Sequence, residues 1–313
     1  MPSSNQIKRA VAGLVQRNKA TPKAIISTIF GDMVVPHADM IWLSSIVTLA
    51  SCFDITESHA RTTTLRLRNE NWLDCVRVGK LSYYGGVVER TLDYSKSVYA
   101  IPNESWTGDW LVLYTGSADI PKPAYVKLRQ ALVWEGVGRL APHVFVSLSP
   151  DMQRMTRLLE SFGLQDRVQF LRAQALPGKD PELVRRIVRD AWAIGDIEFR
   201  YEQFLKRFRP IKQILDKEPQ GLDPESCFII RILLILHYRI IALRDPHLPS
   251  TLLPKPWAGH AAFTLCKTLY EQVVEGSEAY LVDSVRALDG RFKPAGPILW
   301  DRFGGLSATP KDR

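Results

Sequence analysis

Apolar residues near the start of the chain recur at helical spacing and predict two short helices. Thr21 and Pro22 supply an N-cap and a proline at the first helical position, and Gly31 is expected to end the first helix. The apolar face of this helix consists of Ile25, Ile26, Ile29 and Phe30. A second helix is predicted over residues 40–51.

A third predicted helix differs because its outward face is polar and cationic. Thr56 is placed to cap it, and the carboxylate of Glu57 suits its first turn. The inward face is small and lightly apolar, with Ala60, Thr63, Thr64 and Leu67. The opposite face carries Ser58, His59, Arg61, Thr62, Leu65 and Arg66. Hydroxyl and guanidinium groups thus stand where an amphipathic surface helix commonly has Glu/Lys pairs.

A short β-hairpin is predicted directly after this helix. Asn71 can end the helical backbone, residues 78–80 form a turn, and a return strand runs over 81–85. Arg77 and Lys80 lie at the tip. A helix followed by a basic hairpin is the order of a winged helix-turn-helix, a domain that binds DNA.

Beyond residue 108 the pattern changes to strands alternating with helices. Strands are predicted at 110–114, 139–148 and 167–175, with helices at 121–133 and 151–162. That order, with a possible fourth strand, favours a small ferredoxin-like α+β domain. After Pro177 only helical patterns remain, at 181–192, 195–216, 224–243 and 257–288.

The whole chain is therefore predicted to be an α+β multidomain protein, since 313 residues are many for one domain. We expect a basic flexible arm at 1–20 and a winged helix-turn-helix domain at 21–96. A ferredoxin-like middle domain would follow at 105–177, and a helical C-terminal domain at 178–305.

Charge and cysteine usage narrow the class of protein. A formal net charge of +8 favours a polyanionic partner. The four cysteines lie far apart without a CxxC pair, which indicates free thiols in a reducing compartment. Residues 1–20 lack the apolar core of a secretory signal, and Arg231, His237 and Arg239 interrupt the most apolar run. We expect a cytoplasmic protein with no membrane span.

The polar helix face and the hairpin tip suit double-stranded DNA, because an α-helix fits the major groove. Arg61 and Arg66 would make bidentate contacts to guanine, and Leu65 would meet a thymine methyl group. Contacts to phosphates or base edges are expected from Ser58, His59 and Thr62, and contacts to phosphates or the minor groove from Arg77 and Lys80.

No catalytic constellation stands out, and we expect neither enzymatic activity nor a metal or other cofactor. HExxH, GxSxG, GxGxxG and P-loop motifs are all absent. One alternative stays open, a metal-dependent nuclease built on the middle domain. Its candidate acids form no tight motif; they are Asp109, Asp119, Glu135, Asp151, Glu160 and Asp166. A CoA-thioester enzyme or carrier is a third possibility, for which no nucleophile–base pair is found.

The segment RYEQFLKRFRPIK, residues 200–212, alternates cations with aromatic side chains. Cations suit the phosphates of a CoA thioester, and aromatic rings suit its adenine or an aryl group. The candidate effector-binding residues are Arg200, Tyr201, Lys206, Arg207, Arg209 and Trp257. The competing interpretation is an amphipathic helix with solvated cations and buried aromatics, with Trp257 in a helix core.

Four landmarks in order resemble the PaaX family of bacterial transcriptional repressors. AIISTIFGDMVVPHADMIWLSSIVTLASCFDITESHARTTTLRLRNENWL resembles the family's first three helices, and VRVGKLSYYGG is similar to its wing. WTGDWLVLY looks like the opening of its middle domain, and RDPHLPSTLLPKPWAGHAA like its C-terminal signature. The family usually has Gly before Trp72; this chain has Asn71, which also tolerates the left-handed backbone.

This resemblance implies a homodimeric repressor of an aromatic-acid catabolic operon, best known for phenylacetate. It implies a palindromic operator as the double-stranded DNA partner. It implies phenylacetyl-CoA, or a related aryl-CoA thioester, as the effector that releases the repressor. The middle domain would be similar to a CRISPR adaptation nuclease without being catalytic, and the C-terminal domain would serve dimerisation and effector response.

Overall fold

The computed structural model describes residues 3–87, 98–101, 106, 108–116, 120–148, 152–174, 181–217 and 222–307. These residues form a mixed α+β protein with a three-stranded and a four-stranded antiparallel sheet. Unit 1 comprises Met1–Ile101, Phe204–Ile240 and Ala261–Arg313, and unit 2 comprises Pro102–Gln203 and Ile241–His260. Each compact unit therefore combines stretches that are distant in sequence, and the predicted C-terminal domain, 178–305, contributes residues to both.

The N-terminal segment of unit 1 forms helix α1, Ser3–Gln16. The prediction of a flexible arm over 1–20 is thus wrong for the helical residues. Ile7, Val11 and Leu14 follow helical spacing, and all three are buried. Sparse apolar residues at this spacing suffice because the rest of unit 1 covers them.

The first predicted helix is confirmed at its start but not at its end. Helix α2 is Pro22–Thr28, and Thr21 caps it through a hydrogen bond from a backbone N–H. Gly31 does not end the helical backbone, which continues as a π-helical turn, Ile29–Val34, and a 3-10 turn, Val35–His37. All six residues of the π-helical turn are buried, so tertiary packing overrides the glycine signal.

The second predicted helix begins later than expected. Strand β1, Ile41–Trp42, precedes helix α3, Leu43–Ser51. Both residues of β1 pair antiparallel with a strand more than 40 residues further along the chain. The prediction of a helix from residue 40 is therefore wrong at its start, because long-range strand pairing decides the local backbone.

Helix α4, Glu57–Asn69, and the hairpin after it agree with the predictions. Strand β2, Leu73–Val78, and strand β3, Leu81–Gly86, are joined by a two-residue turn. Gly79 in that turn has a φ of 60°, which glycine adopts without steric cost. The sheet order is β1-β3-β2, and α4 packs against α2 and α3.

In unit 2 the described strands and helices follow the order β-α-β-β-α-β. The elements are β4 Asp109–Tyr114, α5 Lys122–Trp134, β5 Gly138–Ala141, β6 Val144–Ser147, α6 Met152–Ser161 and β7 Gln169–Gln174. Their sheet has the order β5-β6-β4-β7, which agrees with the predicted ferredoxin-like arrangement. The single strand predicted over 139–148 is instead a hairpin, with His143 in the left-handed conformation at φ 63°.

The remaining helices lie in the predicted helical region. The helix predicted over 257–288 ends at Ser284, because Arg286 and Leu288 form backbone hydrogen bonds with the chain around β1 instead. They are α7 Pro181–Ala191, α8 Ile194–Lys217, α9 Pro224–Ala242, α10 Ala258–Ser284 and the short α11 Pro297–Trp300. Helix α8 contributes residues to both units. Among the described residues, no helix combines the length and apolar character needed to cross a membrane. Most of the predicted connector at 86–107 lies outside the described residues.

Candidate nucleic-acid interface

Helix α4 is held by a cap at its start and by a narrow buried face. The Oγ1 atom of Thr56 accepts a hydrogen bond from the backbone N–H of His59 at 3.4 Å. Ala60, Thr64 and Leu67 are at most 1% exposed. Because the inward face is fixed in this way, the remaining side chains of α4 are directed away from the core.

The structure places every predicted DNA-contacting side chain at the surface. The exposed residues are Ser58, His59, Arg61, Thr62, Leu65 and Arg66 on α4, and Arg77 and Lys80 on the hairpin. Leu65 is 47% exposed, although a leucine in a helix of a folded domain is usually covered. Of these eight side chains only Leu65 is apolar, and the hairpin also exposes Val76, Val78 and Leu81.

The two arginines predicted to contact guanine are in different electrostatic settings. The Nε atom of Arg61 donates to the Oε1 atom of Glu57 at 2.8 Å, so its charge is partly balanced. No carboxylate of the described residues forms an ion pair with Arg66. Arg66 is therefore the guanidinium group of α4 that is more available to an external acceptor.

Arg68 adds a cation to this surface that the sequence interpretation did not single out. It is exposed in the last turn of α4. Burial and Cys75 raise the pKa of Tyr84, while the charges of Arg68 and Arg77 oppose that rise. Two guanidinium groups, one from the helix and one from the hairpin, thus act on the same tyrosine of β3.

Unit 1 also contains a buried ionic cluster. The Nε atom of Arg231 donates to the Oδ2 atom of Asp32 at 2.7 Å, and its Nη1 atom donates to Oε1 of Glu278 at 2.6 Å. The Nη1 atom of Arg302 donates to Oδ1 of Asp32 at 2.8 Å, and the hydroxyl of Tyr99 also donates to Asp32. Asp32, Arg231 and Arg302 are 1%, 0% and 3% exposed. The buried ionic cluster is defined here as Asp32, Arg231, Glu278 and Arg302.

The carboxylates of this cluster are held in their charged form. Burial raises the pKa of Asp32, but the charges of Arg302 and Arg231 outweigh it and keep the pKa below its ordinary value. Burial also acts against ionisation of Glu278, and Arg231 and His37 lower its pKa to about 2. Both carboxylates of the cluster are therefore ionised at neutral pH. This matters because a buried arginine without a charged partner would destabilise the fold.

The predicted effector-binding residues divide between the two units. In unit 2, Arg200 is exposed, whereas Tyr201 and Trp257 are 2% and 6% exposed. Their rings meet edge to face at 6.0 Å, and the Tyr201 hydroxyl donates to Asp245 at 2.7 Å. The two aromatic side chains thus pack as the amphipathic-helix interpretation predicts.

The other three predicted effector-binding residues belong to unit 1 and are exposed cations of α8, namely Lys206, Arg207 and Arg209. The Nη1 atom of Arg207 lies 2.5 Å from Nε2 of His237, and a guanidinium can only donate in such a contact. His237 is therefore neutral here. Burial and then the charge of Arg207 lower its pKa to about 4.

Replacing His237 by glutamine is expected to reduce the acid sensitivity of the fold. The pKa of His237 is about 4 when folded, against 6.5 for an ordinary histidine, so the unfolded chain takes up the proton first. The stability that depends on neutral His237 is present above pH 6.5 and is lost as the pH falls to 4, at most about 3 kcal/mol. Urea unfolding at pH 7.5 and 4.5 measures this loss.

The exposed His59 provides a matched control for that measurement. His59→Gln is expected to lose as much stability on acidification as the unmodified chain, whereas His237→Gln loses less. Equal losses in all three proteins would contradict the assignment of a neutral, half-buried His237.

A cavity of about 420 Å³ in unit 1 differs in charge from a phosphate-binding pocket. It is lined by Lys8, Val11, Ala12, Val15, Gln16, Cys52, Asp54, Asp223, Glu225, Ser226 and Ile229. Its lining thus carries three carboxylates and one lysine. Because its carboxylates outnumber its one cation, this cavity does not suit the phosphates of a CoA thioester.

The described residues also bear on metal and thiol chemistry. Within them, no group of three or more His, Cys, Asp or Glu side chains is close enough to hold a metal ion. Asp109, one of the six acids considered for a nuclease, accepts a hydrogen bond from the side-chain amide of Gln174 at 2.8 Å. All four cysteines are free, as predicted.

Comparison with known proteins gives matches along most of the chain. The family model described as "PaaX-like protein" matches residues 21–85, the "PaaX protein central Cas2-like domain" matches 103–184, and the "PaaX-like protein C-terminal domain" matches 192–283. The curated protein "Transcriptional repressor PaaX" of Escherichia coli (strain K12) is 32% identical over 287 residues, which is 91% of this chain and 90% of that protein. Among solved structures, "Uncharacterized protein Rv0674 from Mycobacterium tuberculosis" is 19% identical with a TM-score of 0.49, covering 75% of this chain and 89% of the other.

Proposed function

The chain belongs to the PaaX-like protein family, and on that premise we propose that it is a DNA-binding transcriptional repressor. In this proposal α2, α3 and α4 with the β2–β3 hairpin form a winged helix-turn-helix. Helix α4 enters the major groove, and the hairpin contacts the adjacent backbone or minor groove. The relative in Escherichia coli is named a transcriptional repressor, which supports this role.

The observation that carries the proposal is the outward face of α4 beside the hairpin. Its hydroxyl and guanidinium groups are exposed together, while the inward face is buried. Arg66, which pairs with no carboxylate of the described residues, and the cations Arg68, Arg77 and Lys80 provide donors for bases and phosphates. Strand β2 contacts α4 and strand β3 contacts α3, so the hairpin lies next to the same helical core.

We further propose that the repressor acts as a homodimer in the cytoplasm on a palindromic operator. Two copies of α4 would then enter successive major grooves about 34 Å apart, or a multiple of that distance. A symmetric dimer would bind a symmetric site because each half-site meets the same protein surface. Size-exclusion chromatography with light scattering, in the presence and absence of operator, measures the copy number.

The effector proposed for this family member is an aryl-CoA thioester, with phenylacetyl-CoA as the first candidate and a phenylacetate catabolic operon as the target. The family membership supports this choice, and so does the abundance of exposed cations on α8. The effector must bind the DNA-incompetent state more tightly, since a ligand shifts an equilibrium only through differential affinity. A coupling of about 1 to 3 kcal/mol would lower operator affinity by about 5- to 150-fold.

Phenylacetyl-CoA is expected to release the protein from its operator, whereas phenylacetate is not. The CoA part carries the phosphates that a cationic surface can bind, and the free acid lacks them. Titration of a preformed complex followed by fluorescence anisotropy measures the release, with free CoA as the matched control. Equal release by phenylacetate and phenylacetyl-CoA would remove the argument for a thioester effector.

A further inference from the structure

The chain after helix α10 lies beyond the last residue that the family models match, yet it pairs with the small sheet of unit 1. The backbone N–H of Trp42 donates to the carbonyl of Arg286 at 2.9 Å, and the N–H of Leu288 donates to the carbonyl of Met40 at 2.8 Å. Ile41 and Ala287 form an antiparallel bridge between these bonds. Residues 285–307, here named the C-terminal segment, thus cover the edge of β1 that β3 leaves open.

The C-terminal segment also forms hydrogen bonds with residues that come shortly before and after β1 in the sequence. The N–H of Arg286 donates to Oγ of Ser45 at 2.9 Å, at the start of α3. The N–H of Gly296 donates to the carbonyl of Pro36 at 2.8 Å. Nδ1 of His37 lies 2.5 Å from the carbonyl of Lys293 and donates to it.

The end of the described segment is anchored in the buried ionic cluster. Arg302 donates from Nη1 to both the carbonyl and the carboxylate of Asp32, each at 2.8 Å. Phe303 is 2% exposed, and its ring contacts those of Tyr99 and Tyr270 at 5.0 and 5.5 Å. The segment is therefore fixed at both ends, by strand pairing near Ala287 and by buried charges at Arg302.

The position of β1 matters because β1 pairs with β3, the return strand of the hairpin. We infer that the C-terminal segment is a positioning element for operator binding, which holds β1 and, through it, the hairpin in the orientation that helix α4 requires. The inference rests on the proposed function for what the hairpin does. It assigns a role to a stretch of chain that none of the matched family models includes.

Leu288→Pro tests this inference, with Leu288→Ala as the matched control. Proline removes the N–H that bonds to Met40, whereas alanine keeps it. In folded protein, we expect Leu288→Pro to weaken operator binding about tenfold while binding to a random duplex is unchanged. Leu288→Ala should bind the operator as the unmodified chain does. A folded Leu288→Pro protein with the operator affinity of Leu288→Ala would overturn the inference.

Hydrogen exchange in the unmodified, full-length protein gives a second measurement that does not depend on how the proline variant folds. If docking of the segment favours operator binding, operator binding must favour docking by the same factor. Operator is therefore expected to slow exchange of the Leu288 amide about tenfold, and a random duplex is not. An unchanged exchange rate in the operator complex would overturn the inference. Failure of the unmodified protein to bind any operator would instead refute the proposed function, and rapid exchange of Leu288 in the free protein would separately refute docking.

Discussion

Replacing Asp32 by asparagine is expected to destabilise unit 1 by about 3 to 5 kcal/mol, the usual cost of removing one partner of a buried ion pair. The substitution keeps the shape of the side chain but removes its charge. Arg231 would keep the carboxylate of Glu278. Arg302 would keep only neutral acceptors, namely the hydroxyl of Tyr270 and the backbone carbonyls of Gly31 and residue 32. Such a loss is a large part of the stability of an ordinary domain, so much of the protein would unfold near physiological temperature.

Equilibrium unfolding in urea at pH 7.5 measures this effect. Asp283 is an exposed carboxylate of α10 in the same unit, and Asp283→Asn is the matched control, with an expected change below about 0.5 kcal/mol. If Asp32→Asn yields too little folded protein to titrate, its midpoint of thermal unfolding in lysate gives the same comparison. An Asp32→Asn protein as stable as Asp283→Asn would show that the cluster does not hold unit 1 together.

Replacing Arg66 by alanine is expected to weaken operator binding about tenfold to a hundredfold, the value of one bidentate contact to a base. Arg66 is exposed and pairs with no described carboxylate, so its removal should change the free energy of unfolding by less than about 0.5 kcal/mol. The substitution should also remove the preference for one particular base pair of the operator. A base contact carries sequence information, whereas a phosphate contact does not.

Operator titrations at two salt concentrations separate these roles. Arg186 of α7 is exposed in unit 2, and Arg186→Ala serves as the control with the same change in charge. A reduced salt slope without loss of base discrimination would make Arg66 a phosphate contact instead. An Arg66→Ala protein with unchanged operator affinity would count against α4 as the helix that reads the sequence.

The parts of the interface that the sequence predicted correctly depend on local signals. The cap of α4 could be predicted because Thr56 accepts a hydrogen bond from an N–H only three residues further along the chain. Gly79 forms the hairpin turn because its φ of 60° disfavours other residues. The outward placement of Thr62 and Arg66 follows from helical periodicity once the inward residues are identified.

The parts that were wrong or missed depend on residues far apart in the chain. Strand β1 has only two residues, and its conformation comes from pairing with β3 and the C-terminal segment. In the buried ionic cluster, Asp32 lies 199 residues from Arg231 and 270 from Arg302. One signal was available, because Arg231 stands in the apolar run FIIRILLIL and a buried arginine needs a carboxylate partner.

The basic and aromatic segment at residues 200–212 shows a second limit of prediction from sequence. Its alternation of cations and aromatic rings fits both a ligand site and an amphipathic helix, and the pattern alone does not separate them. Burial of Tyr201 at 2% exposure and of Trp257 at 6% accounts for the rings by packing. The cations Lys206, Arg207 and Arg209 stay exposed, so their proposed role in effector binding depends on charge and not on the aromatic pattern.

The central claim is that this protein binds a specific duplex through α4 and the hairpin. The most direct measurement is a fluorescence-anisotropy competition at physiological salt, with DNA from upstream of its own gene neighbourhood against a scrambled duplex of equal length. We predict that the upstream duplex contains a site bound at least about a thousandfold more tightly than the scrambled one. Equal affinities for the two duplexes would contradict the account.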